Sequence, residues 1–73
     1  MLEIGSVVAK NAGRDAGKVG AVIKIVNEKF VMVDGFCRRK KVNIRHLIPL
    51  NRKINIKENA KREEIIPLLD RMV

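Results

Sequence analysis

"GRDAGKVGAVIKIVNEKFVMVDG", residues 13–35, is the stretch whose reading decides how this chain folds. It opens on glycines, runs through AVIKIV (21–26), turns at NEK (27–29) and returns through FVMVDG (30–35). β-branched residues crowd both arms, and their stiff side chains suit a pleated strand better than a helix. Two such runs about a short polar turn predict a β-hairpin over residues 20–35. Alternation puts Lys24 toward solvent and Ile23 and Ile25 toward the core. Before the hairpin, Gly13 and Gly17 lack a Cβ, so the backbone can turn sharply and approach another backbone or a phosphate closely. Arg14 and Lys18 carry cations from the same turn, and Asp15 is expected to hold it by bonding local amides. Such a loop suits a sugar–phosphate backbone, and it equally suits a plain turn with solvated charges. It is not a P-loop, in which Gly-Lys is followed by Ser or Thr, because Val19 follows here.

Outward from the hairpin, IGSVVAK (4–10) reads as a first strand. On the other side, Arg38, Arg39, Lys40 and Lys41 stand directly before VNIRHLIPL (42–50). A short strand near 40–43, a tight turn through Asn43–Arg45 and a strand near 46–49 account for that pattern. Pro49 has no amide donor, so its strand should lie at an edge or end early. KINI (53–56) adds a brief extended piece. From Asn59 the period changes. Ile65, Leu68, Leu69 and Met72 recur at i, i+3, i+4 and i+7, which predicts a helix at about 61–71 with one apolar face. Glu63 and Glu64 in its first turns and Arg71 in its last suit the helix dipole. Pro67 removes a hydrogen bond and clashes one turn back, at about 3 kcal/mol, so a kinked or weakened helix is expected.

Five short strands and sharp glycine turns predict a mostly β protein, a small SH3-like barrel with a short C-terminal helix. Closure would also remove the exposed edges of a flat sheet. Residues 1–57 are read as the barrel and 58–73 as a helical extension of the same single domain. With 73 residues there is no room for a second domain. A chain this short buries only about 60% of its unfolded surface. Phe30 and Phe36 are the only aromatics, so the core is aliphatic, and a deep small-molecule pocket is not expected.

Charge is the informative part of the composition. Sixteen Lys and Arg against eight Asp and Glu leave a net +8, a surplus that attracts polyanions. Residues 1–57 hold thirteen of the cations and four of the anions, while 58–73 are almost balanced. The grip on a polyanion should therefore come from the body and not from the C-terminal segment. Cys37 is alone, so neither an intramolecular disulfide nor a cysteine-cluster metal site is expected. The opening residues do not read as a signal peptide, and no stretch approaches the roughly 18 apolar residues of a membrane span. A soluble cytoplasmic protein with no membrane partner is the expectation.

The glycine stretch resembles the KOW motif, a glycine-containing hairpin of ribosomal proteins and transcription elongation factors. Gly13, Asp15, Gly17, Lys18, Gly20 and Val22 fall on its pattern, and Val33 and Gly35 close it. The residues beyond Gly35 narrow the choice. RRKKVNIRHLIPL, then KINI, then a helix opening on Glu63–Glu64 is similar to the archaeal and eukaryotic large-subunit ribosomal protein 14 family, over essentially the whole chain and in the same order. The resemblance implies an SH3-like barrel bound to large-subunit ribosomal RNA beside neighbouring ribosomal proteins.

The candidate RNA-binding residues are Lys10, Arg14, Lys18, Arg38, Arg39, Lys40, Lys41, Asn43, Arg45 and His46. Gly13, Asp15, Gly17 and Gly20 shape the turn. Ile65, Leu68, Leu69 and Met72 form an apolar stripe that can pack on the barrel or against a protein neighbour, and a partner-facing helix is the expectation. Asn43 can read a base edge or ribose, or bond its own backbone as Asn before a turn commonly does. His46 caps the turn or touches RNA. Cys37 could be activated by Arg38, and more simply is a small apolar residue. With so few aromatics, stacking on single-stranded bases is disfavoured, and phosphate and ribose contacts to folded RNA are favoured. Nothing here builds an acid–base, nucleophile or metal constellation, so neither an enzyme nor a cofactor or small-molecule substrate is expected. Two further readings stand beside the ribosomal one: a KOW-domain RNA-binding regulator of transcription or translation acting off the ribosome, and a protein-interaction barrel that happens to be basic.

Overall fold

The computed structural model describes residues 2–11 and 13–71. Five strands and one helix follow in the order β1 (Ser6–Lys10), β2 (Val19–Ile25), β3 (Phe30–Gly35), β4 (Lys40–Asn43), β5 (Leu47–Lys53) and α1 (Arg62–Asp70). All pairings are antiparallel, in the spatial order β4-β3-β2-β1-β5. The predicted hairpin is β2–β3. Asn27 closes its turn by accepting the amides of Lys29 and Phe30 on its side-chain oxygen, at 2.8 and 2.9 Å.

The sheet is unclosed. β4 and β5, consecutive in the chain, lie at opposite ends of the strand order. Only the 3-10 turn Ile44–His46 separates them. Three residues span little distance, so the sheet curls until the end of β4 comes close to the start of β5.

Curling gives the central strand two buried faces, and each gathers its own cluster. On one face Val7, Ala21, Ile23 and Ile54 pack with Ala60, Ile65 and Leu69. On the other, Val8, Val22, Val31, Val33, Cys37, Val42 and Leu47 come together. Ile25, expected inside, is 43% exposed. The β2–β3 register slips between Val22 and Lys24, leaving Ile23 as an inserted residue. Such a bulge breaks the alternation and bends the strand away beyond it.

α1 covers the first cluster, and the helix continues through Pro67. Ile65 and Leu69 are fully buried there. Each buried aliphatic side chain of this size contributes about 1.5–3 kcal/mol, so the pair offsets the roughly 3 kcal/mol that an interior proline costs. Leu69 comes in so close because Gly20 and Gly35 stand opposite each other in the β2–β3 ladder. A Cβ on Gly35 would lie 2.8 Å from Leu69 Cδ1, and one on Gly20 would lie 2.6 Å from Cys37 Sγ. The paired glycines let the helix and the Cys37 loop seat on the sheet.

β5 differs from expectation in length. It runs seven residues, to Lys53, and Pro49 does not end it. Pro49 stands opposite Val8, and the Asn11 amide donates to the His46 carbonyl three positions earlier on the same ladder. Antiparallel bonding alternates from pair to pair, which turns the Pro49 nitrogen toward the free edge. The strand therefore loses no ladder bond to its proline. At the same edge the Leu47 amide is taken up by the Ile44 carbonyl.

Candidate nucleic-acid interface

The glycine turn is built as a rigid corner. Gly13 and Gly17 sit at φ +80° and +87°, a region closed to most L-residues by contact between Cβ and the carbonyl oxygen. The Gly17 amide donates to the Lys10 carbonyl at 2.7 Å, and the Lys10 amide donates to the Lys18 carbonyl at 3.0 Å. This pins the turn to the end of β1.

Asp15 has a longer reach than the sequence suggested. Among the described residues its side chain bonds no local amide. The buried carboxylate accepts the backbone N–H of Arg38, twenty-three residues away, at 3.1 Å. Lys18 Nζ and Lys10 Nζ stand 3.6 and 4.0 Å from its oxygens. The Arg38 amide holds the carboxyl below its ordinary range, burial opposes that, and the Lys18 and Lys10 charges add to the lowering. One carboxylate thus ties the glycine turn to the start of the cationic run.

The run Arg38–Lys41 is divided by this anchoring. The Arg38 side chain is exposed while its amide is fixed. Arg39 turns back on the protein, with Nη1 donating to Asp34 Oδ2 at 3.2 Å and to the Ala60 carbonyl at 3.1 Å. Lys40 and Lys41 lie on β4. With Lys10, Gly13, Phe30, Val42, Asn43 and His46 they line a shallow groove. Lys41 Nζ sits 5.2 Å from the centre of the Phe30 ring, an attraction that holds the ammonium in place and covers the ring against stacking.

The structure thus brings five of the ten candidate residues, Lys10, Lys40, Lys41, Asn43 and His46, to one groove. Lys10 is the least available of them, since its side chain is 9% exposed and stands beside Asp15. Asn43 takes the backbone role, accepting the Arg45 amide at 2.9 Å and capping the 3-10 turn. The exposed Arg45 lines a separate hollow with Glu28 and Lys29. Arg14 and Lys18 are exposed on the glycine turn. Cys37 is buried, and that burial pushes its thiol above the ordinary range, which suits a small apolar residue and not a reactive one.

The apolar stripe of α1 has a definite destination. Ile65 and Leu69 are buried in the chain's own core and Leu68 packs against it, so the buried pair is not offered to a partner. Met72 lies outside the described residues. Among the described residues no group of three or more His, Cys, Asp or Glu could hold a metal. No helix of the structure is long and apolar enough to cross a membrane.

Sequence reasoning missed two residues of this region. Asp34 is 2% exposed and receives Arg39, the Gly35 amide at 2.8 Å and Arg62 Nε at 3.0 Å. Arg62 Nη2 also reaches the Cys37 carbonyl at 3.4 Å. A signal existed: Arg62 opens α1, where the helix dipole disfavours a cation. A cation kept there implies a fixed acidic partner elsewhere.

Comparison with known proteins places this chain among ribosomal proteins of the large subunit. The chain is 39% identical to the large ribosomal subunit protein eL14 of Pyrobaculum calidifontis, over 96% of this chain and 73% of that one. It is 32% identical to the proteins of the same name from Methanococcus vannielii and Methanococcus maripaludis, over 94% of this chain and 90% of theirs. The chain belongs to the eL14 family of large ribosomal subunit proteins. No family model matches it.

Proposed function

We propose that this protein is a structural constituent of the large ribosomal subunit and binds ribosomal RNA through the groove of Lys40, Lys41, Asn43 and His46. Its curled sheet is read as an SH3-like barrel of the KOW type, residues 1–57, with 58–73 as the helical part of the same domain. It works in the cytoplasm, on the ribosome, beside neighbouring ribosomal proteins. Family membership supports the ribosomal role. The observation that carries the RNA reading is the convergence of β4, the 3-10 turn and the glycine corner on one cationic groove.

Mechanically, the protein neutralises phosphates from a rigid frame. Asp15 fixes where the run starts, β4 fixes Lys40 and Lys41, and the exposed Arg14, Lys18, Arg38 and Arg45 flank them. Six such cations, each imperfectly engaged, should give a log–log salt slope of about −4 to −5. The test is binding of a labelled fragment of large-subunit RNA across a salt series, for the parent and for Lys40→Gln/Lys41→Gln. The parent should show the steep slope, and the double variant should lose about 1.5 of it while remaining folded. A flat dependence on salt removes RNA as the partner. Absence of the protein from large subunits isolated at low salt, with RNA binding intact, would favour a regulator acting off the ribosome.

A further inference from the structure

The near-neutral C-terminal segment contributes one cation to an arrangement that the groove does not include. Arg39 and Arg62 both reach Asp34, each on its own oxygen. A guanidinium carries five N–H donors in a planar fork. Arg39 uses Nη1 on Asp34 and on the Ala60 carbonyl, and Arg62 uses Nε on Asp34 and Nη2 on the Cys37 carbonyl. Among the described residues the remaining edges of both forks have no partner, and the side chains are 41% and 54% exposed although they are held from behind. The carboxylate between them is buried, so a ligand meets the arginines and not the acid. One negative charge offsets only one of the two cations.

We propose that Arg39 and Arg62 form a second anion site, a preorganised clamp for one backbone phosphate of RNA, at the junction of α1 with the β3–β4 loop. The inference rests on the RNA reading of the groove and extends it to a face that the groove does not reach. Two guanidiniums already ordered by protein carbonyls and a buried carboxylate lose little further freedom when they bind, and this is what makes such a pair effective. Planar forks also match phosphate geometry in a way that a lysine does not. Glu63 and Glu64 are exposed in the same helical turn. They repel anions and so disfavour a broad polyanion track there, which confines the site to a single phosphate seated against the forks. Arg38, with its amide fixed by Asp15, leads the chain into the site.

The test uses the full chain and a labelled fragment of large-subunit RNA, with salt dependence and melting temperature measured on each variant. Arg39→Gln and Arg62→Gln should each lower the magnitude of the log–log slope by about 0.7–0.9 and weaken binding severalfold. Arg62→Lys keeps the charge and loses the fork, so it should keep the slope and weaken binding about threefold. Lys40→Gln/Lys41→Gln serves as the groove control. If the control lowers the slope and neither arginine variant does, the arginines only hold the fold and the clamp is overturned. If the control also leaves the slope unchanged, the RNA reading itself fails, and the clamp with it. Should Arg62→Gln not fold at the assay temperature, Arg62→Lys decides: weaker binding at constant slope supports the clamp, and unchanged binding overturns it.

Discussion

Asp15 and Asp34 are both buried carboxylates set among cations, yet the distant hydrogen bond of the first comes from a backbone amide and those of the second come from side chains. At the glycine corner, Asp15 takes the Arg38 amide and leaves the guanidinium free. At the helix junction, Asp34 takes the guanidiniums of Arg39 and Arg62, and with them the ends of the β3–β4 loop and α1. The first arrangement fixes where a charge begins its reach, and the second fixes where the charge itself sits. Neighbours in sequence, Arg38 and Arg39, thereby come under different constraints. A count of charges in a run says nothing of this.

The helix junction should prove the more expensive to disturb. Removing residues 60–73 strips Ala60, Ile65 and Leu69 from the first cluster and uncovers Val7, Ala21 and Ile23. Two lost aliphatic side chains forfeit about 3–6 kcal/mol, comparable with the roughly 4–10 kcal/mol total stability expected at this length. The truncated chain should show no cooperative thermal transition by circular dichroism. A sharp transition would mean that the sheet stands without its helix, and that the junction is an accessory.

Asp34→Ala comes next. It strands two arginines and the Gly35 amide, for an expected loss of about 2–3 kcal/mol, on the low side for a broken buried pair because both arginines remain wetted. Melting should fall by about 10 °C or more. A shift of only a degree or two would put the two carboxylates on a par.

Asp15 offers a test through pH. Its carboxyl is held below the ordinary aspartate value in the folded protein. The contribution is therefore complete above the unfolded value near pH 4 and is lost as pH falls through the depressed folded value. Asp15→Asn keeps an oxygen for the Arg38 amide and removes the charge. It should be less stable than the parent at neutral pH, and the two melting curves should converge as the medium is acidified below about pH 4. Parallel curves across the whole range would show that the charge of Asp15 is not what matters. The smallest effect is expected at Glu3 and Lys53, whose ion pair is well exposed on both sides. Glu3→Gln should leave the melting temperature unchanged within error.

Much of the fold was legible because its signals are local. β-branched alternation located β2 and β3, and the i, i+3, i+4 spacing of Ile65, Leu68 and Leu69 located α1. The far end of β5 was not legible, because whether Pro49 stops a strand depends on the phase of a ladder formed with β1. The bulge at Ile23 was hidden for the same reason, being a property of the pair and not of either strand. At the interface, charge and the glycine turn pointed to the loops that carry the cations, and β4 brought Lys40 and Lys41 to the groove. The reach of Asp15 to Arg38 and of Asp34 to Arg62 spans 23 and 28 residues. No spacing rule reports such a contact. The destination of the apolar stripe on α1 was open for a related cause: a helix face shows that it must be covered, and not by what.

The outward-turned nitrogen of Pro49 bears on how the molecule fares while it is alone. An unpaired strand edge is a template on which other extended chains can assemble, and β5 is such an edge, with Ile48 and Leu50 exposed beside it. Templating needs donors. Here the Leu47 amide is already committed to Ile44, and Pro49 has none to give. A neighbour docking along this stretch would find carbonyls without matching N–H groups, and its own ladder would fail after a residue or two. The exposed Ile48 and Leu50 would otherwise invite stacking along this edge, and the missing donors act as a brake on it beside the mutual repulsion of copies that each carry net +8.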